Sequence, residues 1–162
     1  KLDNAFQALA QGVTQVCNIL ERDFNVAADI FSVTSFNELR KNALATERWN
    51  RLNPAKDKKL SNIEKAITDK DAPIIASTDY MKSFPEQVAR FLPNQFIALG
   101  TDGYGRSDSR EALRSFFEVD RHYIVVAALT ALVDTKKLDI SVLLKAIKDF
   151  KLDGDKPNPM SV

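Results

Sequence analysis

Two rhythms of apolar residues alternate along the chain. Val13, Val16, Cys17 and Leu20 fall at i, i+3, i+4 and i+7, which is one stripe of a helix. The run Val26 to Val33 (VAADIFSV) loses that period and reads as a strand, as do Pro73 to Thr78 (PIIAST) and Phe96 to Thr101 (FIALGT). Between the first two, Phe36, Leu39 and Ala43 and then Trp49 and Leu52 return to helical spacing, with a break left open between the two groups. Between the second and third, Ser83-Phe84-Pro85-Glu86 has the spacing of a capping box with proline in the first turn; Val88, Phe91 and Leu92 follow and Pro93 ends the helix. Strands alternating with helices of this length predict βαβ units. The fold class is therefore α/β, with a mostly parallel sheet and helices on both faces.

Beyond Thr101 only helices are predicted. Asp108-Ser109-Arg110-Glu111 can cap a helix carrying Leu113, Phe116 and Phe117. Asp120 precedes an apolar run from Tyr123 to Val133, expected to be a helix buried on most sides, and Ile140, Leu143, Leu144, Ile147 and Phe150 mark an amphipathic one. The closing KLDGDKPNPMSV has two prolines and no period, so an extended tail is expected. One domain over 1–162 results, with a sheet part over about 1–106, a helical part over 107–150 and a tail over 151–162. Arg51 to Asn62 (RLNPAKDKKLSN) is polar and basic: a solvated loop, or a patch for an anion or a partner.

Composition narrows the chemistry. The 162 residues are 44% hydrophobic and 28% charged, enough for one core without a metal or disulfide staple. Twenty-three basic against 22 acidic residues leave +1, which argues against nucleic acid or an anionic membrane as a partner recruited by bulk charge. The longest apolar stretch, Tyr123 to Val133, is half a membrane span, and no basic-then-apolar signal opens the sequence. A single cysteine, Cys17, rules out an internal disulfide and makes a reducing, cytoplasmic setting the expectation. Cys17 lies on the apolar stripe, as an inert core thiol would. With one His and one Cys no His/Cys zinc site can be built. A serine triad would have to use His122, which stands inside the apolar run and is better read as a packed histidine.

In a parallel sheet ligands bind beyond the carboxyl ends of the strands. Those ends carry Thr34-Ser35, Thr78-Asp79-Tyr80 and the loop Thr101 to Asp108 (TDGYGRSD). Gly100, Gly103 and Gly105 lie in or beside that loop, and glycines so grouped suggest positive φ or a close backbone approach. They do not spell a dinucleotide fingerprint, and no Walker-type lysine follows. Arg106, beside the helix start at Asp108 to Arg110, could hold a carboxylate or phosphate, which would make the chain a binding module for an anionic ligand or a protein partner. Equally, the loop could be a hinge or subunit contact with Arg106 paired to Asp79, Asp102 or Asp108. Asp79 and Asp102 could in principle pair for acid/base work, but no partner histidine, lysine cluster or metal motif stands with them. The candidate interface or anion loop is thus Asp79, Asp102, Gly103, Gly105, Arg106, Asp108 and Arg110, with no catalytic, cofactor-binding or metal-ligating residue assigned.

Three strings carry a resemblance: SVTSFNELRKNALATERWNRLNP, ASTDYMKSFPEQVARFLP and LGTDGYGRSDSREALRSFFEVDRHYIVVAAL. They resemble the C-terminal domain of the homodimeric bacterial pyruvate dehydrogenases, the decarboxylating first component, within the transketolase superfamily. The resemblance runs from about Val13 to Val162. It implies a three-layer α/β/α domain with a mixed, mostly parallel sheet of four to five strands. It also implies a parent several times longer, in which thiamine diphosphate and magnesium lie between other domains, across a homodimer. That enzyme decarboxylates pyruvate and acetylates the lipoyl group of dihydrolipoyl acetyltransferase, a further candidate partner. The family's cofactor signature, a Gly-Asp-Gly start followed by an asparagine, is missing here. No cofactor is therefore expected in this domain, which would serve dimer assembly and domain contacts and be inactive alone. One departure stands at the start, where the family has a strand ending in Gly-Ser-Gly. Here Ala5-Phe6-Gln7 fill that place without gaps, or Ala10-Gln11-Gly12 with a first helix about one turn shorter.

Overall fold

The computed structural model describes residues 14–162. Helix α1 covers 14–24, and the alternative turn positions Ala5–Gln7 and Ala10–Gly12, with any first strand, lie outside the described residues. There follow α2 (Phe36–Leu52), α3 (Asn62–Ala66), β1 (Ile74–Ser77), α4 (Ser83–Ala89), β2 (Phe96–Leu99), α5 (Arg110–Phe116), α6 (Arg121–Asp134) and α7 (Ile140–Asp149).

β1 and β2 pair in parallel with Ile74 opposite Phe96 and Ser77 opposite Leu99, and α4 makes the crossover between them. Side chains alternate across a strand, so Ile74 and Phe96 share one face. There they pack with Ile63, Val88, Leu92 and Leu39 from α2–α4 and the turn after it. Helix α6 lies against both strands and takes no part in that cluster. Instead Val125 and Leu129 join Val16 and Leu20 of α1 and Ala146 of α7 in a second core. The small sheet thus has helices on both faces.

Among the described residues the sheet has two strands rather than the expected four to five. The run Val26 to Val33 is not one of them. Asn25 closes α1 at a φ of 54°, and the Val26 N–H returns to the Leu20 carbonyl at 2.9 Å. Residues 27–34 then run exposed, with no backbone–backbone hydrogen bond to a described neighbour. Strand propensity is a preference for packing on a pleated surface beside a partner, and no described partner is there to satisfy it.

Ser35, Ser109, Asp120 and Asp139 each accept a first-turn amide on their side chain, as Ncap residues do. Helix α2 is unbroken over its 17 residues. Ser83 is not a cap, contrary to its spacing. The Glu86 N–H that its hydroxyl would have to meet is already given to the Lys82 carbonyl at 3.0 Å, so the helix starts one residue earlier. The capping box forms instead at Ser61 and Glu64, opening α3 inside a stretch expected to be loop.

Candidate functional site

Both strands end at the same edge, and the backbone beyond them stays tied. The Thr78 N–H donates to the Leu99 carbonyl at 3.0 Å, the Thr101 N–H to the Tyr80 carbonyl at 3.0 Å, and the Lys82 N–H to Asp102 Oδ2 at 3.1 Å. The turn 78–82 and the loop 101–105 are therefore clamped side by side. A Cβ on Gly100 would come within 2.5 Å of the Tyr80 carbonyl oxygen, which is the close approach the glycine permits.

The closing segment completes the site. Residues 151–162 form no helix or strand, and though most are exposed, Pro159 is buried and Leu152 and Lys156 are half-buried. Lys156 Nζ donates to the carbonyls of Ser115 (2.9 Å) and Phe116 (2.7 Å) at the end of α5 and reaches Glu118 Oε1 at 3.5 Å. Pro159 is buried, and its carbonyl oxygen would lie 2.5 Å from a Cβ on Gly103, whose φ is +113°. Between the tail and the sheet edge is a crevice of about 290 Å³, with Lys82, Asp102, Glu118, Lys156 and Asn158 among its polar walls.

The expected site residues separate here. Asp102 lines the crevice and Gly103 underlies the tail. Asp79 does not meet Asp102 in a shared site; its Oδ2 pairs with Arg114 at 2.9 Å. Arg106 makes no ion pair among the described residues, and its guanidinium lies 4.2 Å over the Phe116 ring. Asp108 Oδ1 accepts from the Ser109 N–H at 2.6 Å, Arg110 starts α5 and is exposed, and Gly105 faces open space. Arg114, Glu118 and Lys156 are the working residues that spacing did not single out. For Arg114 the helical register from Arg110 was the one signal available.

Two lysines and two carboxylates line the crevice; Asp102 accepts from the Lys82 backbone N–H, and Glu118 pairs with Lys156. Next to it, burial raises the Tyr123 phenol above its usual 10.0, and Glu118, Asp120 and Asp153 add to the rise. The phenol therefore stays protonated at neutral pH, with Lys156 Nζ 5.2 Å from its ring. Cys17 is half-buried rather than a core residue; burial, then Glu21, raises its thiol above 9.0 and disfavours the thiolate. His122 stacks on Phe150 at 4.6 Å between ring centres. Outward, the same edge shows Tyr80, Met81, Phe84 and Tyr104, the last 79% exposed.

Residues 9–120 match the family model described as the transketolase-like TK C-terminal domain. Three curated relatives are named pyruvate dehydrogenase E1 component. The protein of Pseudomonas aeruginosa is 48% identical over 149 residues, 91% of this chain. That of Escherichia coli K12 is 46% identical over 153 residues, 94% of the chain, and that of Cupriavidus necator 43% over 150 residues, 93% of it. In each case the chain spans 17% of the relative's length.

Proposed function

The chain belongs to the transketolase-like C-terminal domain family, and from that premise we propose that it acts as the C-terminal domain of a pyruvate dehydrogenase first component. The parent enzyme would decarboxylate pyruvate with thiamine diphosphate and acetylate the lipoyl group of dihydrolipoyl acetyltransferase in the cytoplasm. The observation that carries this reading is the breadth of the likeness, which runs through both helical layers and the sheet rather than one motif.

Thiamine diphosphate and magnesium do not fit the described residues. No group of three or more His, Cys, Asp or Glu side chains among them is placed to hold a metal ion. Of the crevice carboxylates, Asp102 accepts from the Lys82 backbone N–H and Glu118 pairs with the Lys156 ammonium. The proposal therefore leaves the cofactor to other parts of the parent and gives this domain the work of assembly. Tyr80, Met81, Phe84 and Tyr104 are apolar side chains of the size that anchors an interface with another domain or with the second subunit of a homodimer. The anionic-ligand alternative drew on Arg106 among glycines, and that guanidinium lies over Phe116 instead of lining the crevice.

An antibody against the chain, used on a lysate of its source, tests the reading. The captured polypeptide should run far above 18.1 kDa and reduce a dye with pyruvate only when thiamine diphosphate is added. A polypeptide of 18.1 kDa without that activity would overturn it.

A further inference from the structure

The loop after α2 gathers positive charge around the chain's single tryptophan. Arg48, Arg51, Lys56, Lys58 and Lys59 stand against one carboxylate, Asp57, in a chain balanced at +1 overall. None of the five makes an ion pair among the described residues, and Lys58 acts on Glu64 only at a distance.

The loop is held in place by side chains of α2 and its cap. Asn50 Nδ2 donates to the Lys59 carbonyl and Asn50 Oδ1 accepts from the Lys59 N–H, both at 2.9 Å. Asn53 Nδ2 donates to the Trp49 carbonyl at 2.9 Å, and the Lys56 N–H donates to the Asn53 carbonyl at 3.0 Å. This frame sets Lys59 Nζ 3.6 Å and Lys56 Nζ 5.7 Å from the centre of the Trp49 ring. Both ammonium groups are thus drawn to the one indole. Around them Leu52 and Leu60 are each at least half exposed, and Leu52 shares a helix face with Arg48.

We propose that this surface docks an acidic polypeptide segment, with carboxylates meeting Lys56 and Lys59 and apolar side chains resting on Leu52 and Leu60. Charge complementarity selects a polyanion. Two features select polypeptide over nucleic acid. Lys59 covers the Trp49 ring that would otherwise stack a base. Exposed leucines beside the cations match a chain of mixed acidic and apolar side chains, which a phosphate backbone does not offer.

The experiment titrates the full chain with a fluorescein-labelled peptide of Glu-Glu-Leu repeats, read by polarisation and by Trp49 emission. Saturable binding that weakens as salt rises is expected. Lys56→Gln/Lys59→Gln should weaken it at least tenfold with an unchanged circular dichroism spectrum, since both side chains are exposed. Absence of saturable binding, equal affinity for the Gln-Gln-Leu peptide, or full affinity in the double variant would each overturn the proposal. Tighter binding of a single-stranded oligonucleotide in the same titration would overturn it in favour of nucleic acid.

Discussion

Replacing Leu129 with alanine tests the central claim about packing, that α6 is the wall shared by the sheet and the α1–α7 core. Leu129 is fully buried, and its core neighbours Val16, Leu20 and Ala146 come from α1 and α7, helices on either side of it in sequence. Three carbons are lost, about 2.4 kcal/mol of transfer free energy at about 0.8 kcal/mol for each. A cavity adds roughly 24 cal/mol per Å³ to the extent that the surroundings fail to close. The walls here are helices held by their own hydrogen bonds, so collapse is limited and the expected loss is about 3–5 kcal/mol. Urea denaturation of the wild type and of Leu129→Ala, with unchanged m values, measures it. Leu144→Ala on α7 is the control. Leu144 is 59% exposed, leucine and alanine both suit a helix, and its loss should stay within roughly 0.5 kcal/mol. A Leu129→Ala loss below about 1 kcal/mol, or one no larger than the control's, would refute α6 as core.

Three further outcomes are expected. In the full-length parent enzyme Arg106→Ala should weaken assembly or turnover while costing this domain no more than about 1 kcal/mol of stability, because its cation–π contact is exposed; dimerisation by ultracentrifugation and the reaction rate check it. Gly103→Ala meets both a φ of +113° and the Pro159 carbonyl, so the tail should detach, seen as rapid trypsin cleavage at Lys151, while unchanged proteolysis would contradict the packed tail. Burial works to raise the Glu64 carboxyl, but hydrogen bonds from the Ser61 hydroxyl and amide outweigh it and hold it below its usual 4.5. A depressed folded pKa means stability that is complete above the unfolded value and lost as pH falls through the folded one. Denaturant midpoints between pH 6 and about 3 should therefore drop less in Glu64→Gln than in the wild type.

What could be read from the sequence and what could not divide along a physical line. Helices α2, α6 and α7 were legible because their signals are local: a stripe or run of apolar residues and, for α6, the Ncap Asp120 just before it. Ser61 to Glu64 was equally local and equally legible, and the basic composition of 51–62 concealed it. Ser83 had the right spacing and the wrong answer. Spacing does not reveal that the Glu86 N–H is already taken by the Lys82 carbonyl. Strands are a harder case. PIIAST and FIALGT each find a partner in the other across the α4 crossover, whereas VAADIFSV has similar letters and no described strand partner. Nothing within eight residues distinguishes them.

The edge where the strands end depends still more on distance along the chain. Reading the loop 101–108 alone, Arg106 is the natural counter-charge for Asp79 or Asp102, because it is the one cation in that loop. In the fold Asp79 meets Arg114, a residue on the helix that the loop leads into, and Arg106 is left to Phe116. The glycines suggested positive φ or a close backbone approach, and they give both: Gly100 admits the Tyr80 carbonyl, and Gly103, at a φ of +113°, admits that of Pro159. The partner of Gly103 comes from a tail without any period, held by one lysine that reaches across about forty residues to the end of α5. A segment with no pattern of its own thus covers the position where an α/β sheet ordinarily receives a ligand. With that position covered, what the edge turns outward is Tyr80, Met81, Phe84 and Tyr104, a surface whose chemistry favours another protein face over a small anion.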